Sequence, residues 1–413
     1  MKILHISTED IGGAGLASER LHLGLRAIGV DSEMLVLIKK GSAQGVHRYR
    51  EPYKTRIRFI NFGLSLLSAV NRRLRLPFSR AQRFRNRVDR LKREAKSAPF
   101  FTLPFSDFDV ASHPLVNEAD VIHLHWVANF IDFPTFFRKV NKPIIWTLRD
   151  ENAFLGGFHY SMELGNAGAG YRALNTELAH AKEDSLSKAS RLSFIFLSRM
   201  MARKFSNHRV VRGRRHFIIP NLVNPEVFRP LRKSLAREYW NLPENNVVLC
   251  FAAVSLWDGR KGLKKLIEAV QILKRPDIIV MAIGNGEPHA VSGVPVFYTG
   301  HLSDERLMAL AYSACDFFVM PSIQEVFAKT PLEAMACGLP SIAFPCSGTE
   351  EVIHRGNGVL TSEFTSTSLG AALEEAMTRS WDGEKIREDV IERFSVEAIA
   401  KQHLAAYRDV LSS

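Results

Sequence analysis

The chain has 413 residues, 46% hydrophobic and 24% charged, an ordinary globular composition with room for two or three domains that each bury a core. No run of eighteen apolar residues occurs, so no transmembrane helix is expected, and the start Met-Lys-Ile-Leu-His-Ile-Ser has neither the apolar core nor the cleavage site of a secretory signal. Cys250, Cys315, Cys337 and Cys346 lie in or beside apolar runs without CxxC spacing, which reads as small buried hydrophobes in a reducing compartment. The net charge of +12 is local: Arg48 to Lys96 holds sixteen Lys or Arg against Glu51, Asp89 and Glu94, leaving the remainder near neutrality.

In chain order, Lys2 to Ser7 is a short strand, followed by the glycine-rich turn Gly12-Gly13-Ala14-Gly15. Leu16 to Ile28 then places Leu21, Leu25 and Ile28 on one helical face, and Gly29 can end that helix in a left-handed conformation. Met34 to Ile38 is the next strand, so the chain opens β-loop-α-β and predicts a parallel sheet. The basic segment interrupts this alternation. Strands resume at Asp120 to His125, Pro143 to Leu148 and Ser193 to Leu197, with a glycine-rich loop and a helix from about Tyr171 to Ala189 between the last two. His216 to Ile219 is a last strand of this series. Pro220, Pro225 and Pro230 then mark a linker.

A second series follows. Strands are expected at Val247 to Ala253, Ile278 to Ile283, Val296 to Tyr298, Phe317 to Met320 and Ser341 to Phe344. Helices are expected at Gly262 to Lys274, Asp304 to Ser313, Pro331 to Cys337 and Val396 to Leu411. The expected organisation is an N-terminal domain over 1–215 with a basic insertion at about 47–97, a linker over 216–230 and a C-terminal domain over 231–395. The last helix, 396–413, is expected to pack back on the first domain. Two such parallel α/β units enclose a cleft, and their ligands bind at the carboxyl ends of the strands.

The segment Glu325 to Glu333 carries the most chemistry. Thr330 reads as a helix N-cap, Pro331 as the first helical residue and Glu333 as the third, a capping box that gives Glu333 a structural role of its own. The same helix start offers backbone N–H groups to a diphosphate. Glu333 can there accept from ribose hydroxyls, and Glu325, in the preceding loop, from sugar hydroxyls. "PSIQEVFAKTPLEAMACGLPSIAF" resembles the donor-binding motif of retaining glycosyltransferases of family 4, which have the GT-B fold. "MKILHISTEDIGGAGLASERLHLGLRAIG", "EADVIHLHWV", "PIIWTLRDENAFLGGFHYS", "IIPNLVNPEVFRP" and "GRKGLKKLIEAV" resemble the family's other segments in order, in the branch that builds bacterial surface polysaccharides.

The resemblance implies an α/β chain of two Rossmann-like domains facing across a cleft. It implies metal-independent transfer, with retention, from a UDP- or GDP-sugar to a glycan or lipid-linked acceptor at the cytoplasmic face of a membrane. Glu325, Val326, Phe327, Ala328, Glu333, Arg260, Lys261, Gly12, Gly13 and Gly15 would bind the donor. Arg260 and Lys261 suit the developing charge on a diphosphate leaving group. With Glu325 and Arg149 they form the catalytic set, and His125 and His159 lie on the acceptor side.

His123 and His125 point to one face of the sheet, but no third ligand is evident, so no metal or other cofactor is expected. Asp107-Phe108-Asp109 matches a DxD pattern without the context of a metal site.

Three departures from the family stand out. Arg149 replaces the usual histidine, Gly156 to Ser161 has no cysteine nearby, and Leu222-Val223-Asn224 and Ser255 replace a Gly-x-Asp and a second phosphate-binding arginine. They keep open a non-catalytic homologue that binds a nucleotide sugar beside a partner transferase. Nucleotide-sugar 2-epimerases share the fold but lack the motif set. For Arg48 to Lys96 two readings stay open: an interfacial helix pair, with the apolar run Phe59 to Val70, docking on anionic lipid, or a solvated insertion whose apolar stripe packs on its own domain. Nucleic acid is disfavoured, because no recognition fold accompanies the charge.

Overall fold

A computed structural model describes residues 1–50, 79–95, 99–287, 293–346 and 348–412. The chain divides into two compact units. Unit 1 comprises Met1–Phe196, Lys204–Phe217 and His403–Ser413, and unit 2 comprises Leu197–Arg203 and Ile218–Gln402. Residues from Ile218 to Pro230, expected as a linker, are part of the body of unit 2. Leu222, Val223 and Phe228 are buried there, and the Val223 N–H donates to Phe394 O at 2.9 Å. The last helix is Val396–Leu411, and its residues from His403 onward belong to unit 1.

Unit 1 is built on β1 (Lys2–Glu9), β2 (Asp31–Ile38), β3 (Val46–Arg48), β4 (Val121–Leu124), β5 (Ile144–Leu148), β6 (Leu192–Phe196) and β7 (His216–Ile218), in the order β3-β2-β1-β4-β5-β6-β7. Unit 2 has β8 (Val247–Ser255), β9 (Ile278–Asn285), β10 (Val296–Gly300), β11 (Phe317–Met320), β12 (Ser341–Ala343) and β13 (Gly358–Leu360), in the order β10-β9-β8-β11-β12-β13. Both orders run outward in both directions from the first strand, as in doubly wound nucleotide-binding sheets. β1 pairs parallel with β2 and β4, and β8 pairs parallel with β9 and β11. Each sheet therefore reverses its winding beside its first strand, β1 against β4 in unit 1 and β8 against β11 in unit 2.

The strands are nearly continuous apolar runs because helices cover both sheet faces. In unit 2, Leu249, Phe251, Val280, Val319 and Ile342 from the strands meet Leu266, Val270, Leu369 and Leu373 from the helices Leu263–Leu273 and Ser366–Thr378. The four cysteines are buried and free. This two-domain arrangement is the GT-B architecture.

The described part of the basic segment contains one helix, Arg80–Glu94, and the run Phe59 to Val70 lies outside the described residues. Ser79 Oγ caps the helix by accepting from Gln82 N at 3.0 Å, and Lys92 and Arg93 sit at the end where the helix dipole favours cations. Its apolar side is already occupied. Ala81 and Val88 are buried with Phe101, Phe105, Tyr171 and Leu174 of the same unit, and Phe84 and Leu91 pack beside them. Arg80, Arg83, Arg87 and Arg90 are exposed. Burying that side in the domain's own core leaves this helix only charge to offer a partner. Among the described residues, no helix is long and apolar enough to cross a membrane.

Candidate functional site

In unit 2 the site builds from the carboxyl ends of β8 and β11. After β8, the chain turns through Trp257-Asp258-Gly259-Arg260-Lys261 to Gly262, whose φ of +81° starts the helix Leu263–Leu273. The turn is tied to the loop after β11, since Ile323 N donates to Arg260 O at 2.9 Å. A Cβ at Gly262 would lie 2.1 Å from Pro321 O, so only glycine lets these two segments approach.

This approach brings Lys261 onto Glu325, and the ammonium donates to Glu325 Oε1. The Glu325 side chain is only 9% exposed. Arg260 pairs with Asp258 Oδ2 at 2.7 Å, while its N–H donates to Asp258 Oδ1 at 3.0 Å. Both cations expected to face a diphosphate thus have carboxylate partners of their own. Asp258 does not stand out in the sequence, although its spacing of two from Arg260 is a usable signal. Val326 and Phe327 are buried, Ala328 is half-buried, and Phe327 O accepts from Asn221 Nδ2 at 2.9 Å.

The capping box is corrected. The helix Thr330–Ala336 starts one residue earlier than expected, with Lys329 in the cap position in helical conformation and no side-chain capping bond. Glu333 is buried and accepts from the Tyr312 hydroxyl at 3.4 Å. A proline in the second helical position and a helical cap residue leave no extended backbone from which a Thr330 hydroxyl would cap. Gly338, at φ +81°, ends the helix as its residue type predicts.

In unit 1, the helix Gly12–Ala27 begins without a side-chain cap and with no acid in its first turn. Gly12 has φ +68°, and a Cβ on Gly13 would meet nothing. Gly15 differs from both. Its Cβ would lie 2.6 Å from Glu9 O, so its bareness serves the packing of the helix on the end of β1. Approach by a ligand is thus a role open to Gly12 and Gly13 rather than Gly15.

The third imidazole that the sequence did not disclose is His5. The β1–β4 register sets His5 against His123, and His125 follows two residues on, so all three project from one side of the switch point. Their ligating nitrogens lie within 4.8 Å of one another. His5 Nδ1 lies 2.9 Å from His125 Nε2. His123 spans Tyr407 Oη at 2.6 Å and Thr147 Oγ1 at 2.7 Å. Burial, reinforced by neighbouring histidines and Arg149, holds all three well below the usual histidine range, so they are neutral. Arg149 Nη2 reaches His125 Nδ1 at 3.3 Å, and burial pushes the guanidinium down to about 10, against the opposing effect of Tyr407. Only a narrow crevice of about 10 Å³ lies among His125, Trp126, Arg149, Asp150 and Asn152.

His159 lies in a second network. Its Nδ1 bonds Asp150 Oδ2, its Nε2 lies 3.0 Å from Thr102 Oγ1, and Trp126 Nε1 donates to the same Asp150 oxygen at 3.0 Å. His159 is 3% exposed, so its ring orders this loop rather than facing solvent. Asp107 pairs with Arg85, and Asp109 accepts from Lys139 Nζ at 2.9 Å and from Ser112, so the DxD pattern is spent on local ion pairs.

Beneath the loop, the buried Lys182 ammonium donates to Asn152 O at 2.6 Å and Asn152 Oδ1 at 2.8 Å. Burial pushes Lys182 down to about 7 from its ordinary 10.5, with Asp150 opposing. Between those values the unfolded chain holds a proton that the folded chain does not, so this group's contribution raises stability as pH climbs from 7 to 10. Below pH 7 its penalty is fully in force. The stability difference between wild type and Lys182→Met should therefore widen in favour of wild type from pH 7 to 10. Urea midpoints at three pH values check this, and parallel curves would refute it.

Known proteins share this architecture. Residues 245–379 match the family model of glycosyl transferases group 1. The chain is 26% identical over 232 residues to D-inositol 3-phosphate glycosyltransferase of Stackebrandtia nassauensis, covering 47% of this chain and 48% of that protein. It is 30% identical over 207 residues to GDP-mannose-dependent alpha-mannosyltransferase of Corynebacterium glutamicum, covering 46% of each. The chain thus spans about half the length of these curated relatives. Among solved structures, sucrose-phosphate synthase from Thermosynechococcus elongatus superposes with a TM-score of 0.66 at 20% identity, covering 100% of this chain and 99% of that one. HepE from Anabaena, solved with UDP-glucose, gives 0.63 at 17% identity, covering 99% and 100%. At such identities these structures establish the fold.

Proposed function

We propose that this protein is a retaining glycosyltransferase, most akin to family 4, that moves a sugar from a UDP- or GDP-sugar to a glycan or lipid-linked acceptor without a metal ion. The observation that carries this reading is the Lys261–Glu325 pair at the switch point of the second sheet, where doubly wound sheets bind ligands. Family likeness over 245–379, and relatives whose names denote transfer of sugars, support it.

In this reading unit 2 binds the donor. Glu325 accepts from sugar hydroxyls and Glu333 from the ribose. Lys261, and Arg260 released from Asp258, neutralise the diphosphate as the glycosidic bond breaks. Arg149 is the cation assigned to the leaving phosphate by the family resemblance of its segment, and the phosphate itself takes the acceptor proton. Arginine keeps its charge even where burial lowers it to about 10, so it fills this role differently from a neutral imidazole.

The deciding experiment follows nucleotide release from UDP- and GDP-sugars without acceptor. Arg149→Met should lower turnover by about 100-fold, the scale of one removed charge-stabilising group. UDP or GDP binding, measured by calorimetry, should stay within about threefold, because only transition-state stabilisation is lost. Tight nucleotide binding by wild type with no turnover of any donor would instead select the non-catalytic homologue, which Arg149 keeps in view.

The reading includes work at the cytoplasmic face of an anionic membrane, with the exposed arginines of Arg80–Glu94 as the contact. Each basic residue near such a surface contributes about 1 kcal/mol. The protein should float with anionic but not neutral liposomes and come off in high salt. Equal recovery with both vesicles would exclude it.

A further inference from the structure

The imidazoles at the first switch point have the spacing of a metal site, yet one neighbour is a guanidinium. Elementary hydrogen-bond chemistry decides between these two features. Arginine has N–H donors only, so His125 Nδ1, 3.3 Å from Arg149 Nη2, must present a lone pair. A neutral imidazole carries one proton, which then sits on His125 Nε2. That N–H faces His5 Nδ1 at 2.9 Å and needs an acceptor there, so the His5 proton lies on Nε2. His5 Nε2 is buried and has no hydrogen-bond partner among the described residues, so the polarity of the chain ends on an unsatisfied donor. Such an orphan is destabilising in itself. Moving its proton to Nδ1 would set two N–H groups against each other, or force His125 to turn a donor toward Arg149.

Metal binding conflicts with the same chain. An ion on His125 Nε2 would drive the proton to Nδ1, breaking the bond to Arg149, and would add a dication beside a buried cation. The backbone strengthens the choice: Trp146 Nε1 donates to His125 O at 2.8 Å and His125 N to Ile6 O at 2.9 Å, so the ring is anchored from its own main chain.

We propose that His125 and His5 are positioning residues: their fixed Nε2–H tautomers hold the Arg149 guanidinium at the carboxyl edge of the first sheet, and Arg149 in turn keeps the three imidazoles free of metal. The role of Arg149 toward a leaving phosphate rests on the reading above. The tautomer chain does not depend on it.

The test is long-range proton–nitrogen correlation spectroscopy on the full chain labelled with nitrogen-15 histidine, with His5→Gln and His125→Gln assigning the signals. In wild type both residues should show Nε2–H, and equimolar zinc chloride should leave their signals and that of His123 in place. In Arg149→Met the His125 tautomer should change, and zinc should shift all three. A wild-type His125 carrying Nδ1–H, or stoichiometric zinc uptake by wild type at this trio, overturns the proposal. Donor hydrolysis adds a second reading. His125→Leu should lower kcat at least tenfold with little change in KM, whereas His125→Gln, which can accept from Arg149 and donate to His5, should recover most of the rate. Equal loss in a folded Gln variant counts against positioning. If wild type hydrolyses no donor, the transferase reading fails while the tautomer spectrum still decides this one.

Discussion

Glu325→Gln should lower nucleotide release from the cognate donor by about 100-fold while UDP or GDP affinity changes less than about threefold. Gln keeps the shape of the side chain and removes only its charge. Glu325 is 9% exposed and receives the Lys261 ammonium, so its carboxylate is held in place before any sugar arrives. Pre-ordering of this kind accelerates a reaction because no reorganisation is needed as charge develops. Loss of the carboxylate also leaves Lys261 without this partner. Lys261 is 27% exposed and can turn to water, so the stability loss should be only about 1 kcal/mol. The activity loss is thus far larger than unfolding can explain, and a denaturation curve beside the rate assay separates the two. A Gln variant with wild-type turnover would remove Glu325 from the reaction.

Gly262→Ala should have the largest effect on stability, about 3 kcal/mol or more, and should abolish turnover in whatever fraction stays folded. Two costs add. The residue sits at φ +81°, where a side chain is strained, and its Cβ would stand 2.1 Å from Pro321 O. A backbone carbonyl cannot rotate away as a side chain can, so either the turn or the loop after β11 must move. That shift separates Lys261 from Glu325, which the same approach brings together. Urea unfolding should show a lower midpoint with an unchanged slope. The control is Gly13→Ala, whose Cβ would meet nothing and whose midpoint should barely move. Equal midpoints for the two variants would mean that the turn tolerates displacement.

The elements most plainly written in the sequence are the apolar ones. Phe317–Met320 and Val396–Leu411 fall where their patterns place them, and most other strands agree to within three residues at either end. β3 and β13 are not anticipated, because three residues at a sheet margin carry too little pattern to stand out from a loop. Ser366–Thr378 and Gly383–Phe394 are absent from the expected helices as well, although both show helical periodicity and a capping Thr365 and Asp382. Glu325, Lys261 and Arg260 are legible as a set, but their pairing is not. Sixty-four residues separate Lys261 from Glu325, and only the adjacency of β8 and β11 joins them.

The sequence by itself determined that two parallel sheets would form, since apolar runs alternating with amphipathic helices have no other way to be covered on both faces. It also determined where helices end on glycine, because the positive φ at Gly29 and Gly338 follows from local helix-end geometry. The tertiary structure alone decided which side chains meet. His5 became the third imidazole through the β1–β4 register, Lys182 was buried beneath the Asp150 loop, and the apolar stripe of Arg80–Glu94 was consumed by its own domain. These outcomes depend on strand order and packing, long-range contacts to which no local pattern of residues is sensitive.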